Sequence, residues 1–361
     1  MSPIESLVRP EILSMKAYQS ARGSAGADGI LLNANEAPYA LLQKSGYEDL
    51  NRYPVPQPAD LRSRLAALYK VDETQLLITR GSDEGIDLLT RVFCRPGKDA
   101  IVVCPPCFGM YSIAATIQGA AIVDVPRTVD QEWQIDIESL CQTITERPDV
   151  RLVFLTTPNN PTGDLISFEN LEKILTACGR HALVVLDEAY IEFCDADSAT
   201  KLLDVWLNLV VLRTLSKAWG AAGLRCGSVL ANPEIIGLLQ RVMAPYPLCA
   251  PAIEAAMEVT SPQVLETQKR MLLEVSKAKS DLLNFLKNCD WVETIWPGEA
   301  NFVLLRVDNA ETLTDFCAEQ GVRIRDFSQQ AMLERCVRIS IGCEDDMTKL
   351  KTALVAYGER T

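Results

Sequence analysis

The sequence predicts an α/β protein: a mainly parallel seven-stranded sheet with helices on both faces, and a second, smaller α+β domain. Three observations carry this. Seven short β-rich runs cross the middle of the chain: Leu76–Thr79, Ala100–Val103, Ala121–Val125, Arg151–Thr156, Ala182–Leu186, Leu209–Arg213 and Cys226–Leu230. Several are apolar at consecutive positions, as strands covered on both faces are. Between or after them, Ser82–Cys94, Gly109–Gln118, Phe168–Cys178 and Pro233–Val242 show helical spacing, and such βα alternation builds a parallel sheet with its ligand site at the carboxyl ends of the strands. The rhythm then changes after PYPLCAPA. A long amphipathic stretch, Ser261–Cys289, carries Leu265, Leu272, Val275, Leu282 and Leu286 near one face. Strand-like pieces follow (Asn301–Val307, Val322–Arg325, Val337–Ile341), then a terminal helix.

A chain of 361 residues is long enough to divide its core. The division expected is 43–250 for the large domain, with 1–42 and 251–361 forming the small domain and an N-terminal arm.

Composition narrows the function. The net charge of −13 argues against nucleic acid or anionic lipid as the main partner. No stretch approaches the roughly 20 uncharged apolar residues of a membrane span. The opening MSPIESLVRPEIL has no basic region followed by an apolar run, so the expectation is a cytoplasmic protein. The twelve cysteines are scattered, and the close pair Cys104 and Cys107 has no second pair at zinc-site spacing; they read as buried free thiols, with no metal site. The single histidine, His181, precedes an apolar run. A Ser-His-Asp hydrolase or a His-rich zinc site would have to rest on that one residue, so lysine, carboxylates and tyrosine are the better candidates.

Those groups gather at strand ends. The run Leu209–Arg213 leads into Thr214, Leu215, Ser216 and Lys217, and Arg225 follows in an otherwise uncharged stretch. A lysine at a strand end is commonly a solvated surface charge. This one has hydroxyls at 214 and 216 and an arginine beyond. A desolvated lysine forms Schiff bases with aldehydes, and hydroxyls with arginine suit a phosphate. The preceding run ends in Asp187, Glu188, Ala189 and Tyr190. An aspartate there can cap the next segment, or can keep a pyridine nitrogen protonated so that the ring draws electrons. Arg151–Thr156 ends in TPNNPTG, a tight turn that presents Asn160. Thr79 to Glu84 is a strand-to-helix junction with Ser82 at the expected N-cap, where free N–H groups cradle phosphate. A Rossmann dehydrogenase would show G-x-G-x-x-G after the first strand, and no such turn is present.

With these residues in hand the chain resembles the fold type I aminotransferases, which depend on pyridoxal 5′-phosphate. Within them it is similar, over essentially its whole length, to the histidinol-phosphate aminotransferase family. The segments are YQSAR, LNANE, RYPVPQ, TRGSDEGIDLL, CPPCFGMY, TPNNPTG, DEAYIEF, RTLSKAWGAAGLRCG, APYPL and VRIRDF with VRISIG. NPTG, DEAY and SK with the later arginine are shared across the superfamily, whereas YQSAR, LNANE and RYPVPQ are narrower.

The resemblance implies a homodimer that moves an amino group between L-histidinol phosphate and 2-oxoglutarate, giving imidazole-acetol phosphate and L-glutamate in histidine biosynthesis. Lys217 would carry the cofactor as a Schiff base and then move the proton between Cα and C4′. Asp187 would pair with the pyridine nitrogen, Asn160 and Tyr190 with the 3′-oxygen. Tyr111 would stack on the ring. Ser82, Asp83, Glu84, Thr214, Ser216 and Arg225 would surround the cofactor phosphate. Tyr53 would reach into the partner's site. Arg338 would bind the carboxylate of glutamate or the phosphate of its partner substrate, helped by Arg325, Tyr18 and Asn33.

Some positions depart from the family pattern. AWGAAG after Lys217 is often AFALAG, which sets Trp219 and Gly220 apart. Phe327 stands where glutamine is common, and Cys107 replaces a usual threonine. The neighbouring readings are a threonine-phosphate decarboxylase and an aromatic-amino-acid aminotransferase of the same superfamily.

Overall fold

The structure, a computed structural model, describes residues 2–18, 30–42 and 49–360; Gln19 to Arg22 of YQSAR and the expected domain boundary at 43 lie outside them. The large sheet has seven strands: β1 (Leu76–Thr79), β2 (Ala100–Val103), β3 (Ala121–Asp124), β4 (Val150–Thr156), β5 (Leu183–Asp187), β6 (Leu209–Thr214) and β7 (Gly227–Ala231). Their spatial order is β1-β7-β6-β5-β4-β2-β3. The five strands from β3 to β6 run parallel. β7 is antiparallel to β6 and to β1, so its first residue, Gly227, comes to the same edge as the ends of β1 and β6.

Alternation along each strand divides the core between the two faces. Val184 and Leu186 join the cluster under Ala59–Tyr69, Ile137–Glu146 and Phe168–Cys178. Leu183 and Val185 face the opposite layer, with Gly81–Phe93, Met110–Gln118 and Pro233–Val242. Asp187, next in the alternation, falls on this second side, beside Tyr111. Each fully buried leucine or isoleucine in these layers is worth about 1.5–3 kcal/mol of transfer free energy.

The small sheet is antiparallel, in the order β10-β11-β9-β8, from β8 (Val292–Trp296), β9 (Phe302–Val307), β10 (Arg325–Asp326) and β11 (Cys336–Ser340). The helix Pro262–Leu286 ties the two sheets together. Its Leu265 and Leu272 pack on the large core, while Val275, Leu282 and Leu286 pack in the small one.

Several expectations change in detail. The run Val322–Arg325 is a strand only at Arg325–Asp326. The chain leaves the preceding helix through Gly321 at φ +77°, and Val322 and Ile324 are spent on the small core as irregular chain. β8 is half-exposed and its apolar pattern is weak, which is why it escapes a sequence reading. The helix after β1 begins at Gly81 with Arg80 as its N-cap, not Ser82; Glu84 reaches back to accept from the Arg80 N–H over 2.6 Å. Residues 1–42 were grouped with the small domain, yet Ile4, Leu7, Val8 and Ile12 pack into the large core.

Candidate active site

A cavity of about 230 Å³ opens at the carboxyl edge of the large sheet, where β4, β5 and β6 end. Ser82, Thr156, Asn160, Asp187, Lys217 and Arg225 line it, with Arg338 entering from the small sheet. Parallel register brings Thr156 of β4 opposite Asp187 of β5.

Asp187 is almost fully buried. Its Oδ2 accepts from the Tyr111 hydroxyl at 2.8 Å and its Oδ1 from the Ala189 N–H at 3.0 Å. Burial pushes its pKa up to about 6, against the lowering effect of those two bonds and of Lys217. Lys217 faces the cavity, with Nζ 5.3 Å from the centre of the Tyr190 ring. Partial burial and the nearby Arg338 lower its pKa, while Asp187 opposes them. The site therefore holds an amine that sheds its proton more readily than usual and a carboxyl that keeps its proton longer.

The phosphate-type donors converge at one end. Arg225 adopts a left-handed backbone (φ +50°) and turns its guanidinium onto Ser216 Oγ at 3.2 Å and Asp83 Oδ2 at 3.2 Å. Gly227 lets this happen: a Cβ there would lie 2.5 Å from the Gly81 carbonyl carbon, so only glycine lets β7 meet the start of the helix. That helix N-terminus, two hydroxyls and a guanidinium form a donor set suited to a phosphate. Thr214 is committed locally, accepting from the Ser216 N–H at 3.1 Å.

At the other end Arg338 donates to the Asn160 Oδ1, and its buried Nε–H has no partner among the described residues. Its guanidinium lies 5.0 Å from the Phe302 ring centre and 5.3 Å from that of Phe327. Tyr190 packs edge-on against Phe302 at 5.3 Å, and burial raises its pKa to about 12. A half-buried guanidinium with an unused donor suits a carboxylate or phosphate.

The structure differs from expectation at Tyr111. Its ring is wholly buried, stacked on Phe154 at 4.8 Å, because it points from the helix Met110–Gln118 into the sheet. Phe108, just before that helix, lines the cavity instead. Glu84 spends its carboxylate on Arg80 and does not line the cavity. Tyr18, Asn33, Tyr53 and Arg325 also lie outside the lining, and Tyr18 and Tyr53 are 72% and 49% exposed. Tyr53 stacks on Tyr246 at 4.5 Å. His181 is remote, its ring against the Ile144 carbonyl. The aromatic positions Phe108 and Phe302 escaped the sequence reading because a lone phenylalanine in an apolar context reads as core. Trp219 is anchored under the site: its indole N–H donates to Glu192 over 3.3 Å, and Glu192 also receives Arg213 at 2.7 Å.

The aminotransferase class I and II family profile matches residues 27–355. The histidinol-phosphate aminotransferase of Pectobacterium carotovorum subsp. carotovorum (strain PC1) is 41% identical over 354 residues, covering 98% of each chain. The chain belongs to the class I and II aminotransferases, among the histidinol-phosphate aminotransferases. The fold agrees with that family. The histidinol-phosphate aminotransferase structure from Clostridium acetobutylicum superposes with a TM-score of 0.79 at 24% identity, over 88% of this chain and 93% of that one. The enzyme of the same name from Sinorhizobium meliloti, solved in complex with pyridoxal-5′-phosphate, gives 0.78 at 24% identity, over 86% and 84%.

Proposed function

We propose that the protein is a pyridoxal 5′-phosphate-dependent transaminase that interconverts L-histidinol phosphate and 2-oxoglutarate with imidazole-acetol phosphate and L-glutamate, in histidine biosynthesis. One observation carries the reading. Lys217 and Asp187, with opposite pKa shifts, face one cavity that has a phosphate-type donor set at one end and the under-used Arg338 at the other. The first pair suits the cofactor, and the two anion sites suit its phosphate and an anionic substrate. When bound, the cofactor supplies an aldehyde that holds the amine nitrogen and a ring that accepts electron density.

The chain's own groups then take these tasks. Arg225, Ser216, Ser82 and the backbone N–H groups at Asp83 and Glu84 hold the phosphate, with Thr214 bracing Ser216. Asp187 keeps a proton on the pyridine nitrogen, and Tyr111 orients Asp187 from behind. Asn160 and Tyr190 donate to the ring oxygen, and Phe108 covers the ring face in place of Tyr111. Lys217 would take the proton from the substrate's Cα, a task helped by its lowered pKa. Arg338, with Arg325, Tyr18 and Asn33, binds whichever anionic substrate is present. Two anions sharing one pocket call for adaptable cations rather than a shaped acidic slot.

The large domain, 43–250, carries the cofactor site in this reading, and 251–361 the small domain. The working form is a cytoplasmic homodimer. Ile30, Leu32, Leu41 and Leu42 are all more than half exposed, a quantity of apolar surface that a second copy would cover. Tyr53, itself half-exposed, would enter the partner's cavity. No helix among the described residues is long and apolar enough to cross a membrane.

The test is a spectrum of the purified protein titrated with L-histidinol phosphate, then with 2-oxoglutarate. Bleaching by the first and recovery with the second supports both half-reactions. Bleaching only by glutamate or an aromatic amino acid keeps the transaminase and discards the substrate. Carbon dioxide release without keto-acid dependence would point to the decarboxylase.

A further inference from the structure

Arg325 and Arg338 sit directly opposite each other in the antiparallel pairing of β10 with β11. Like charges in that arrangement repel and weaken the pairing. Arg338 holds its charge less readily than usual; burial is the larger cause, and Arg325 adds to it. The expected remedy is a carboxylate between them. Among the described residues neither arginine has one. The neighbouring Asp326 turns its Oδ1 to the Ser328 N–H at 2.7 Å instead.

Both guanidiniums instead lie near one phenyl ring. The guanidinium of Arg325 is 5.8 Å from the centre of Phe327, and that of Arg338 is 5.3 Å from the same ring. Phe302 adds a second ring at 5.0 Å from Arg338. Phe327 is buried, packed with Trp133, Leu304, Leu333 and Cys336, so its position is fixed by the core. A ring face attracts a cation at these distances but takes none of its N–H donors. A glutamine or a carboxylate there would occupy them. The Arg338 Nε–H stays without a partner, and Arg325 makes no side-chain hydrogen bond or ion pair among the described residues.

We infer that Phe327 is a positioning residue for substrate choice: its ring holds Arg325 and Arg338 as one doubly charged clamp that selects the phosphorylated substrate over the dicarboxylic one. This rests on the proposed transaminase reading and deepens it. The charge balance gives the direction. A phosphate monoester carries about −1.5 to −2 near neutrality and matches two guanidiniums. A carboxylate of glutamate carries one charge and leaves the other cation unmatched beside apolar rings. Loss of the ring frees the two arginines to separate, which harms the ligand that needs both.

The experiment measures KM and kcat of the holoenzyme for L-histidinol phosphate and for L-glutamate in the wild type, Phe327→Leu and Phe327→Tyr. Thermal melting reports on folding, and calorimetric titration of the holoenzyme with inorganic phosphate reads the clamp without turnover. Phe327→Leu keeps the apolar volume and should raise KM for histidinol phosphate about tenfold, with less than about a threefold change for glutamate and little in kcat. Inorganic phosphate should weaken in parallel. Phe327→Tyr, which keeps the ring, should restore both to within about twofold of the wild type. Equal losses for the two substrates, a change confined to kcat or melting, or no rescue by tyrosine would overturn the inference. A wild type that accepts glutamate but no histidinol phosphate would instead overturn the substrate assignment, and the phosphate titration of Phe327→Leu would then still decide whether the clamp exists.

Discussion

The Tyr111 hydroxyl donates to Oδ2 of Asp187 at 2.8 Å, from a ring that is itself wholly buried and stacked on Phe154. The bond supports the ionised carboxylate, but burial outweighs it and leaves Asp187 at about 6 rather than 3.8. A carboxyl whose folded pKa is raised contributes stability that is fully present below its unfolded value. That contribution is lost as pH rises from about 3.8 through about 6. At pH 7.5 the cofactor-free protein therefore carries a cost of up to about 3 kcal/mol at this one residue. Asp187→Asn should remove it. The amide oxygen can keep the Ala189 N–H, and the Tyr111 hydroxyl can turn to Thr156, which is also 2.8 Å away. Urea unfolding of the cofactor-free proteins should show the variant more stable at pH 7.5, with the advantage shrinking toward pH 4.5. Equal stabilities at both pH values would show that the carboxylate is not under strain. In the loaded enzyme the same change should remove most turnover, a loss of several kcal/mol in the barrier.

Lys217 is open to the cavity and forms no salt bridge among the described residues, so its removal should leave the fold intact. Lys217→Ala is expected to abolish transamination and to lose the pH-dependent absorbance of lysine-bound cofactor. Borohydride treatment should fix the cofactor to the wild-type peptide containing residue 217 and to no peptide of the variant. Retained spectral titration in Lys217→Ala would move the attachment point elsewhere.

Much of the site was legible because its groups stand at strand ends, where the sequence marks them by charge within apolar runs. Lys217, Asp187, Asn160 and Arg225 all fall in the cavity for that reason. What was not legible depends on direction. Tyr111 and Phe108 sit three residues apart in CFGMY, and nothing in the spelling says which ring meets the cavity and which turns inward. Only the start of the helix at Met110 decides it. The antiparallel β7 was hidden for a similar reason, because its apolar run reads like those of its parallel neighbours. The aromatic floor under Arg338 needs β9 and β11 side by side, a pairing set by the fold rather than by any local pattern.

The small domain meets the Asn160 loop through two glycines. A Cβ on Gly163, at φ +80°, would lie 2.7 Å from the Gly298 Cα, and the Glu299 N–H donates to the Gly163 carbonyl at 2.7 Å. Lys279 holds the other side of the contact by donating to the carbonyls of Gly298 and Ala300. Gly163→Ala should therefore combine a strained backbone with a steric clash and cost about 1–3 kcal/mol of stability. Because this contact joins the Asn160 loop to the domain that carries Arg338, KM for both substrates should rise together, unlike the split expected for Phe327. A melt unchanged within about 1 °C of the wild type would show that the two domains separate freely at this point.

Tyr53 does not line its own chain's cavity, is 49% exposed and is held from behind by Tyr246. Its N–H is bound to Glu36 at 2.7 Å, and Glu36 also pairs with Arg52 at 2.8 Å. A tyrosine fixed in this way, its neighbour Arg52 donating to the Leu31 carbonyl at 3.2 Å between the exposed Ile30 and Leu32, suits a group presented to a second copy rather than to its own site. If so, a chain lacking Lys217 can still lend its Tyr53, and a chain lacking Tyr53 can still use its Lys217. Tyr53→Ala and Lys217→Ala should each lose most activity alone. When mixed at equal amounts and allowed to exchange, half the dimers become hybrids with one complete site of two. Activity should then recover to roughly a quarter of the wild type, as two-fold symmetry requires. Recovery that follows the amount of hybrid dimer would establish the shared site. No recovery, with hybrid dimers detected by mass, would return Tyr53 to a role within its own chain.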